Sequence, residues 1–425
     1  LYLNISNNTF TYSIDNNTPE ILLSIKDGSN NEITTLTGLT YKTVTDGKGA
    51  SIKGFDITNK KGLITILNNR EITTTSTKTE EWNVTVTFVN YNSNQAGNAG
   101  KSFNAKLMIQ KEEYKLPTLA EYVVSQYTGT QGDNGIYYHN SSLANGAGDN
   151  SYRYAGASES VNNFICFGST TSPCPTDNLY RIIGVFGENN HGVTGKQLVK
   201  LIKYDYATSN LLGTDGDYKD SSTPGSTYKG SLSKVDRYYW NSKATNKASN
   251  TWSTSLLNKI NLNTNYLNNI GTTWSNLIED ATWKVSGHST RSVTPSEMYT
   301  AEITNATKTY GPSDGTSKIG LMYVSDYGFA ASPSAWTETL ANYDGNDANG
   351  TLIKTINWMY MGNYEWTISP YSSNSFSVFT LNDRGDVNNF AAGADYGSRP
   401  VLYLKASVLY AGGLGTKDSP ITLVV

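Results

Sequence analysis

The chain has 425 residues, a net charge of -3, and contains 37% hydrophobic but only 16% charged residues. A core can be packed from this composition, but no basic surplus exists that would hold nucleic acid or anionic lipid, so both partner classes are excluded. No apolar run reaches the length of a membrane span.

Residues 1–113 predict an all-β domain. Apolar and polar residues alternate in residues 9–14, 50–58, 82–88 and 103–109, and short apolar runs occupy residues 20–25 and 62–67. About seven such strands separated by turn residues predict an Ig-like β-sandwich, although one without an inter-sheet cysteine pair. The chain opens in a strand-like run and shows no signal peptide, so we expect a mature or trimmed product.

Residues 114–118 are the predicted linker, and residues 119–425 the predicted second domain, of α+β class. A short helix follows the linker, and residues 177–186 and 197–203 predict a hairpin of core strands. Residues 254–270 have helical spacing, and Thr294, Pro295 and Glu297 predict a helix start. Residues 320–324 predict a buried strand, and Trp358 a short helix.

The two cysteines, Cys166 and Cys174, are close in sequence and separated by turn-forming residues. No further metal-ligating residue lies nearby, so this spacing predicts a small disulfide loop rather than a metal site. A disulfide implies an oxidising compartment.

The C-terminal part carries the runs Trp366-Thr-Ile-Ser-Pro370 and Gly397-Ser-Arg-Pro-Val-Leu-Tyr-Leu404. They resemble the Trp-x-x-Ser-Pro … Gly-x-Arg-Pro-x-Leu-x-Leu signature of a family of secreted bacterial surface domains of Gram-positive type. The resemblance covers roughly residues 117–423. It implies the C-type-lectin-like fold that formylglycine-generating enzymes share, an extracellular cell-surface location, and a framework role for Trp366, Pro370, Arg399 and Pro400.

Polar residues between these framework positions are the candidate ligand contacts. They are Tyr371, Ser372, Ser373, Asn374, Asn382, Arg384, Asp386, Asn388, Asn389, Asp395 and Tyr396. The run Arg384-Gly-Asp386 matches an integrin-binding tripeptide of animal matrix proteins, but its position predicts a hairpin tip in which Gly385 supplies a positive φ.

Tyrosine is abundant, 30 residues against 11 Phe. Two interpretations stay open: a binding surface, or water-exposed β-structure stiffened by aromatic rings.

Motifs for catalysis are weak. His139, His191 and His288 are far apart in sequence, and we expect them to be surface or turn residues. Residues 311–315 match a nucleophile elbow formally but predict a plain loop, and residues 344–350 form an incomplete calcium loop. Formylglycine-generating enzymes use a cysteine pair near the C-terminus, which this chain lacks there. We therefore expect no enzyme activity, no cofactor and no metal.

The sequence thus predicts a non-enzymatic adhesin that presents a glycan- or protein-binding domain on a β-sandwich stalk. The alternative is a structural subunit of a surface filament or coat, in which copies assemble by strand exchange or domain packing, because an open sheet edge accepts a strand from a neighbour. A third hypothesis is a carbohydrate-binding accessory to a glycan-degrading enzyme.

Overall fold

The computed structural model describes residues 1–68, 79–110, 115–214, 218–219, 236–242, 248–306, 314–343 and 351–425. The incomplete calcium loop and residues 311–313 of the formal nucleophile elbow lie outside these ranges. The chain divides into two compact units, Leu1–Leu116 with Ala411–Leu414 and Pro117–Tyr410 with Gly415–Val425. Strands make up 30% and helices 20%, which confirms a mostly β protein with α+β character. Within the described ranges, no helix has the length and apolar character needed to cross a membrane.

The first unit is built from strands in two sheets. Its strands are β1 (Tyr2–Asn8), β2 (Ile21–Lys26), β3 (Tyr41–Thr45), β4 (Ser51–Asp56), β5 (Gly62–Thr65), β6 (Asn83–Phe88) and β7 (Phe103–Met108). The order is β5-β1-β7 in one sheet and β3-β4-β2-β6 in the other. Leu3 and Ile5 of the first sheet share one apolar cluster with Ile21, Leu23 and Phe55 of the second, so the two sheets enclose a common core.

Two expectations for this unit need correction. Residues 9–14 are not a strand, because β1 ends at Asn8, whose side chain bonds the backbone oxygens of Ile57 and Lys60 instead. The alternation in residues 103–109 does not bury one face: Leu107 is 48% and Ile109 86% exposed.

The second unit contains the remaining strands. They are β8 (Ile136–His139), β9 (Ser151–Tyr154), β10 (Phe164–Cys166), β11 (Leu179–Phe186), β12 (Leu198–Lys203), β13 (Tyr218–Lys219), β14 (Arg237–Tyr239), β15 (Ala281–Trp283), β16 (Gly315–Ser317), β17 (Ile319–Gly320), β18 (Glu365–Pro370), β19 (Ser377–Leu381), β20 (Val387–Ala391), β21 (Asp395–Tyr396), β22 (Val401–Leu404), β23 (Tyr410–Gly412, shared with the first unit) and β24 (Thr422–Leu423). The central sheet has the order β17-β22-β12-β11-β9-β8, with β10 also paired to β11. All residues of β11 and β12 are buried, which places this antiparallel hairpin, as predicted, in the core.

Short helices pack around this sheet. They are α1 (Leu119–Ser125), α2 (Glu188–His191), α3 (Ser209–Leu212), a π-helical segment Leu257–Tyr266 continued by α4 (Leu267–Asn269), α5 (Thr272–Ser275), α6 (Pro295–Tyr299) with a π-helical turn Thr300–Thr304, α7 (Val324–Ala330) and α8 (Thr351–Ile356). Single 3₁₀ turns occupy Ala96–Asn98 in the first unit and Asp133–Gly135, Thr176–Asn178, Trp252–Thr254, Pro333–Ala335 and Leu340–Asn342 in the second. The predicted start of α6 is confirmed, because Thr294 and Glu297 form a reciprocal capping box.

Two local predictions in this unit are wrong. The strand expected at residues 320–324 ends at Gly320, because the Asp326 carboxylate accepts the backbone N–H of Tyr323 and starts α7 at Val324. Trp358 lies beyond the end of α8 rather than inside a helix, and its indole N–H donates to the Tyr154 carbonyl oxygen.

The histidines also differ from expectation. His139 and His191 are fully buried rather than exposed. His139 packs against the rings of Phe329 and Trp336, while His191 accepts the Val193 N–H and contacts Phe186. Burial lowers the pKa of both imidazoles. They therefore act as neutral core residues.

Cys166 and Cys174 are joined in a disulfide. Among the cysteines none is free. The predicted small loop is thereby confirmed.

Candidate binding surface

The framework positions of the C-terminal signature lie in the core of the second unit. Trp366, Pro370, Arg399 and Pro400 are all buried. The indole N–H of Trp366 donates to the Tyr238 carbonyl oxygen at 2.7 Å. Because Tyr238 belongs to β14, this bond ties β18 to the neighbouring three-stranded sheet.

Arg399 is bonded to Glu365 inside this framework. Its Nε donates to Oε1 of Glu365 at 2.7 Å, and its Nη2 donates to the Met359 carbonyl oxygen at 2.8 Å. Burial raises the pKa of Glu365, against the opposing effect of Arg399. The backbone of Gly397 also bonds both neighbours of Glu365, donating to the Tyr364 oxygen and accepting from the Trp366 nitrogen. The segment leading to Arg399 is therefore fixed along β18.

A group of partly exposed rings lies on this framework. Tyr364, Phe390 and Tyr396, which we call the aromatic face, are in mutual contact. Tyr364 and Tyr396 stack with centroids 5.1 Å apart, and Phe390 meets Tyr396 edge-on at 5.3 Å. Underneath, Trp366 contacts Tyr396 at 4.8 Å. The rings are thus supported from below by a buried side chain while part of their surface remains in solvent.

Polar groups border the aromatic face. Asn388 and Asn389 precede Phe390 on β20, and Asp395 precedes Tyr396 on β21; all three are partly exposed. Arg237 enters from β14, whose Tyr238 pairs with Tyr396. Burial raises the pKa of the Tyr396 hydroxyl, Asp395 raises it further and Arg237 lowers it. The hydroxyl is therefore protonated at neutral pH and available as a hydrogen-bond donor.

In the first candidate loop, residues 371–374, the side chains mainly contact other groups of the protein. Tyr371 packs edge-on against Phe379, and the Asn374 side chain accepts the backbone N–H groups of residues 376 and 377. Ser372 is buried and its N–H donates to the His288 carbonyl oxygen, so its expected place on a recognition surface is corrected. Ser373 is exposed, with its hydroxyl bonded to Ser289.

The second candidate loop is the tip of the β19–β20 hairpin. Asn382 is buried, and its Oδ1 accepts the backbone N–H groups of Arg384 and Gly385, while Gly385 has φ +100°. Asp386 is also buried and lies 3.6 Å from Arg291. Asn382 and Asp386 are therefore corrected from surface contacts to groups that shape the turn. Arg384 alone of the tripeptide is exposed.

Of these predicted residues, Asn388 and Tyr396 lie on the sides of their strands that carry the aromatic face, whereas Asn389 and Asp395, each one position away from a ring, alternate to the other side. Sequence reasoning missed three members of this surface: Tyr364, Phe390 and Arg237. Tyr364 and Phe390 adjoin predicted positions in sequence, so a search for aromatic residues beside them would have found both. Nothing in the sequence places Arg237 there.

The arrangement supports binding through ring faces and hydrogen bonds. Tyrosine and asparagine combine apolar contact area with polar groups, a chemistry common in recognition surfaces. Across the described ranges, no group of three or more His, Cys, Asp or Glu side chains has the geometry to hold a metal ion. Comparison of the chain with family models, with curated proteins and with solved structures found no match.

Proposed function

We propose that this chain is an extracellular, non-enzymatic protein of the bacterial surface, and that its second unit binds a glycan or protein ligand at the aromatic face. The observation that carries the proposal is the stack of Tyr364, Phe390 and Tyr396 over the buried Trp366. We further propose a C-type-lectin-like fold for this unit and an Ig-like sandwich stalk for the first. Two sheets around one core support the sandwich.

Preorganisation favours a binding role for this surface. Side chains that are ordered before contact lose little conformational freedom when a ligand arrives, which leaves more of the contact energy as affinity. Tyr396 is held by a ring below and by the β14–β21 pairing, and Phe390 by the β19–β20 register. These constraints come from the core, so they exist without ligand.

Ligand class follows from the groups that border the rings. The amide of Asn388 both donates and accepts hydrogen bonds, while Arg237 donates. Such mixed groups beside exposed rings suit a hydroxyl-rich ligand, whose C–H faces pack on aromatic rings. A neutral or weakly charged glycan is therefore the ligand we favour, with a protein loop as the other possibility to be screened.

A screen of the purified full chain tests this proposal. The chain is applied to immobilised polysaccharides and to matrix proteins, and bound protein is measured at physiological salt. We expect saturable binding to at least one of them. An absence of binding across both panels contradicts the adhesin function.

Cell-surface location rests on the Cys166–Cys174 disulfide, because such bonds persist in oxidising compartments. Limited proteolysis of intact cells that produce the protein tests it. We expect the chain to be cleaved without lysis. Protection of the chain until the cells are lysed contradicts the location.

A filament subunit is the second candidate function, and strand β7 favours it. Among the described residues β7 pairs with β1 alone. Leu107 exposes a large apolar side chain on this strand, and Ile109 exposes one just past its end. An edge strand of this kind accepts a strand from another copy. Light scattering at rising concentration tests assembly, and Leu107→Lys should reduce it whereas Ile14→Lys, also exposed but outside the strands, should not. A monodisperse monomer at high concentration excludes spontaneous assembly.

A further inference from the structure

A lysine and an aspartate meet inside the second unit. Lys200 lies on β12 and Asp326 on α7, 126 residues apart in sequence, and Nζ of Lys200 is 2.5 Å from Oδ2 of Asp326. Their side chains are 1% and 2% exposed. The packing of the central sheet against α7 therefore holds an amine in contact with a carboxyl group, away from solvent.

Aromatic rings surround the lysine. Its Nζ lies 4.3 Å from the ring centre of Tyr323 and 5.4 Å from those of Phe186 and Tyr403. Burial lowers the pKa of Lys200, although Asp326 opposes this effect. Surroundings of low polarity disfavour the charged form of Lys200 and favour a neutral amine, the form that can act as a nucleophile.

A hydrogen bond and an ion pair hold the two carboxyl oxygens of Asp326. The Tyr323 N–H donates to Oδ2 at 3.0 Å, and Nη1 of Arg153 lies 3.6 Å from Oδ1. If Nζ adds to the carboxyl carbon, negative charge develops on oxygen, and these donors are already placed to stabilise it. The same contacts keep the carboxyl group from rotating away from the amine.

A second buried carboxyl group lies beside the pair. Glu302 is 0% exposed and occupies the π-helical turn after α6. Its oxygens accept the backbone N–H groups of Val324 and Ser325, the residues that precede Asp326, and the hydroxyl of Ser369. Burial raises the pKa of Glu302 to about 7. It is thus suited to accept and return a proton near neutral pH.

We propose that Lys200 and Asp326 condense into an intramolecular amide bond, with Glu302 as the proton carrier. Proton transfer first gives the neutral amine and acid. The bond from Nζ to the carboxyl carbon then forms, the bond from that carbon to one oxygen breaks, and this oxygen leaves as water with one hydrogen from the amine and one from the acid. Atoms balance, and no oxidant or cofactor is required.

Proximity and burial both favour this step. Groups held in contact react with effective molarities of roughly 10⁵–10⁸ M, far above those reached between free molecules. Burying a neutral amide also costs less free energy than burying an ammonium and a carboxylate, each of which loses its hydration. The bond would link the central sheet covalently to α7, which suits a protein that resists force or proteolysis.

Other buried cationic side chains of this unit differ from Lys200 in ways that make them unable to form such a bond. Arg399 bonds Glu365 and Arg153 bonds Asp149, but a guanidinium stays protonated and is no nucleophile. Lys203 lies on the same strand as Lys200 and is 0% exposed, yet its Nζ has no hydrogen-bond partner within the described part of the chain. Lys203 is therefore the matched control for Lys200.

Intact mass spectrometry of the denatured full chain tests the proposal. We expect a mass below the sequence value by one water molecule, in addition to the two hydrogens lost to the disulfide. Proteolytic digestion should yield a linked pair of peptides that contain Lys200 and Asp326. A wild-type chain that lacks the water loss overturns the proposal, and this result does not depend on any variant.

Variants assign the water loss to this site. Lys200→Met and Asp326→Ala should restore the full mass, whereas Lys203→Met should keep the loss. Water loss that persists in Lys200→Met overturns the proposal, because succinimide formation at Asp-Gly sequences also releases water. Glu302→Gln should lower the linked fraction, and a fully linked Glu302→Gln chain overturns its proton-carrying role.

Discussion

Arg399, which follows β21 in the sequence, forms a buried ion pair with Glu365 of β18. The two side chains are each 1% exposed, and the bond between them spans 34 residues of sequence. Because Gly397 pairs with the backbone on both sides of Glu365, the pair fixes the segment from Asp395 to Arg399 against β18. The position of this surface segment therefore depends on the same ion pair that stabilises the core of the second unit.

Breaking this pair should destabilise the second unit strongly. We expect Arg399→Leu to lower the free energy of unfolding by about 3–5 kcal/mol, because it leaves a buried carboxylate without its partner. Urea unfolding followed by tryptophan fluorescence measures this, since Trp82 is the one tryptophan in the first unit. As a control, Lys196→Ala removes an exposed partner of Glu279 and should cost less than about 1 kcal/mol. Equal losses in the two variants would contradict a structural role for the pair.

The hairpin tip should tolerate only glycine at position 385. Gly385 has φ +100°, and an added Cβ would lie 2.7 Å from Ile353 and 3.0 Å from the Tyr327 hydroxyl. Gly385→Ala should therefore cost about 1–3 kcal/mol of stability, measured by thermal unfolding. Gly187→Ala is the matched control, because no atom lies within 4 Å of its added Cβ. A Gly385→Ala chain as stable as this control would contradict the turn geometry.

Stability should depend on the ionisation of Glu302. Its pKa is raised from 4.5 to about 7 by burial, so the folded state binds a proton that the unfolded state has released. The stabilising contribution is fully present below pH 4.5 and is lost as the pH rises to about 7, a change on the order of 3 kcal/mol. Because burial is the dominant cause, the prediction holds whether Lys200 and Asp326 are ionic or linked.

Glu302→Gln isolates this effect from other titrating groups. Asp205, whose pKa burial raises to about 6, contributes with the same sign in both chains. We therefore expect the difference in unfolding free energy between wild type and Glu302→Gln to decline with rising pH over this window. A difference that stays constant would show that Glu302 does not titrate there.

The disulfide should contribute moderately to stability. Cys166 and Cys174 are separated by 8 positions, and closing so short a loop contributes roughly 2–3 kcal/mol in the chain-entropy model. A double Cys166→Ala, Cys174→Ala variant should lose that amount in urea unfolding. Added reductant should then have no further effect on the variant, and an unchanged stability in the variant would contradict a stabilising role for the disulfide.

Sequence patterns correctly predicted the elements that are stabilised by contacts between residues close together in the sequence. The capping box of α6, the β11–β12 hairpin and the disulfide follow from residues close together in sequence. Predictions failed where the end of an element or the burial of a side chain depends on residues far away in the sequence. Asp326 ends the strand expected at residues 320–324 by capping α7, and it does so while bonded to Lys200.

The binding surface was predicted only in part, because some of its residues are close together in the sequence and others are not. Asn388, Asn389, Asp395 and Tyr396 lie within one short stretch of sequence, which the C-terminal signature marked. Asn382 and Asp386 lie in that stretch too, but their burial depends on the turn and on Arg291, which sequence spacing does not reveal. Arg237 reaches the surface only through the pairing of β14 with β21.

Comparative binding of three chains tests the central claim most directly. Wild type, Phe390→Ala and Tyr138→Ala are applied to the same panel of glycans and matrix proteins; Tyr138 is also partly exposed, but it stacks on Tyr152 at 4.6 Å in a different sheet. We predict that wild type and Tyr138→Ala bind one ligand equally, whereas Phe390→Ala loses about 1 kcal/mol or more of binding free energy, a fivefold or greater weakening. Equal binding by all three chains, or no binding by any, would contradict it.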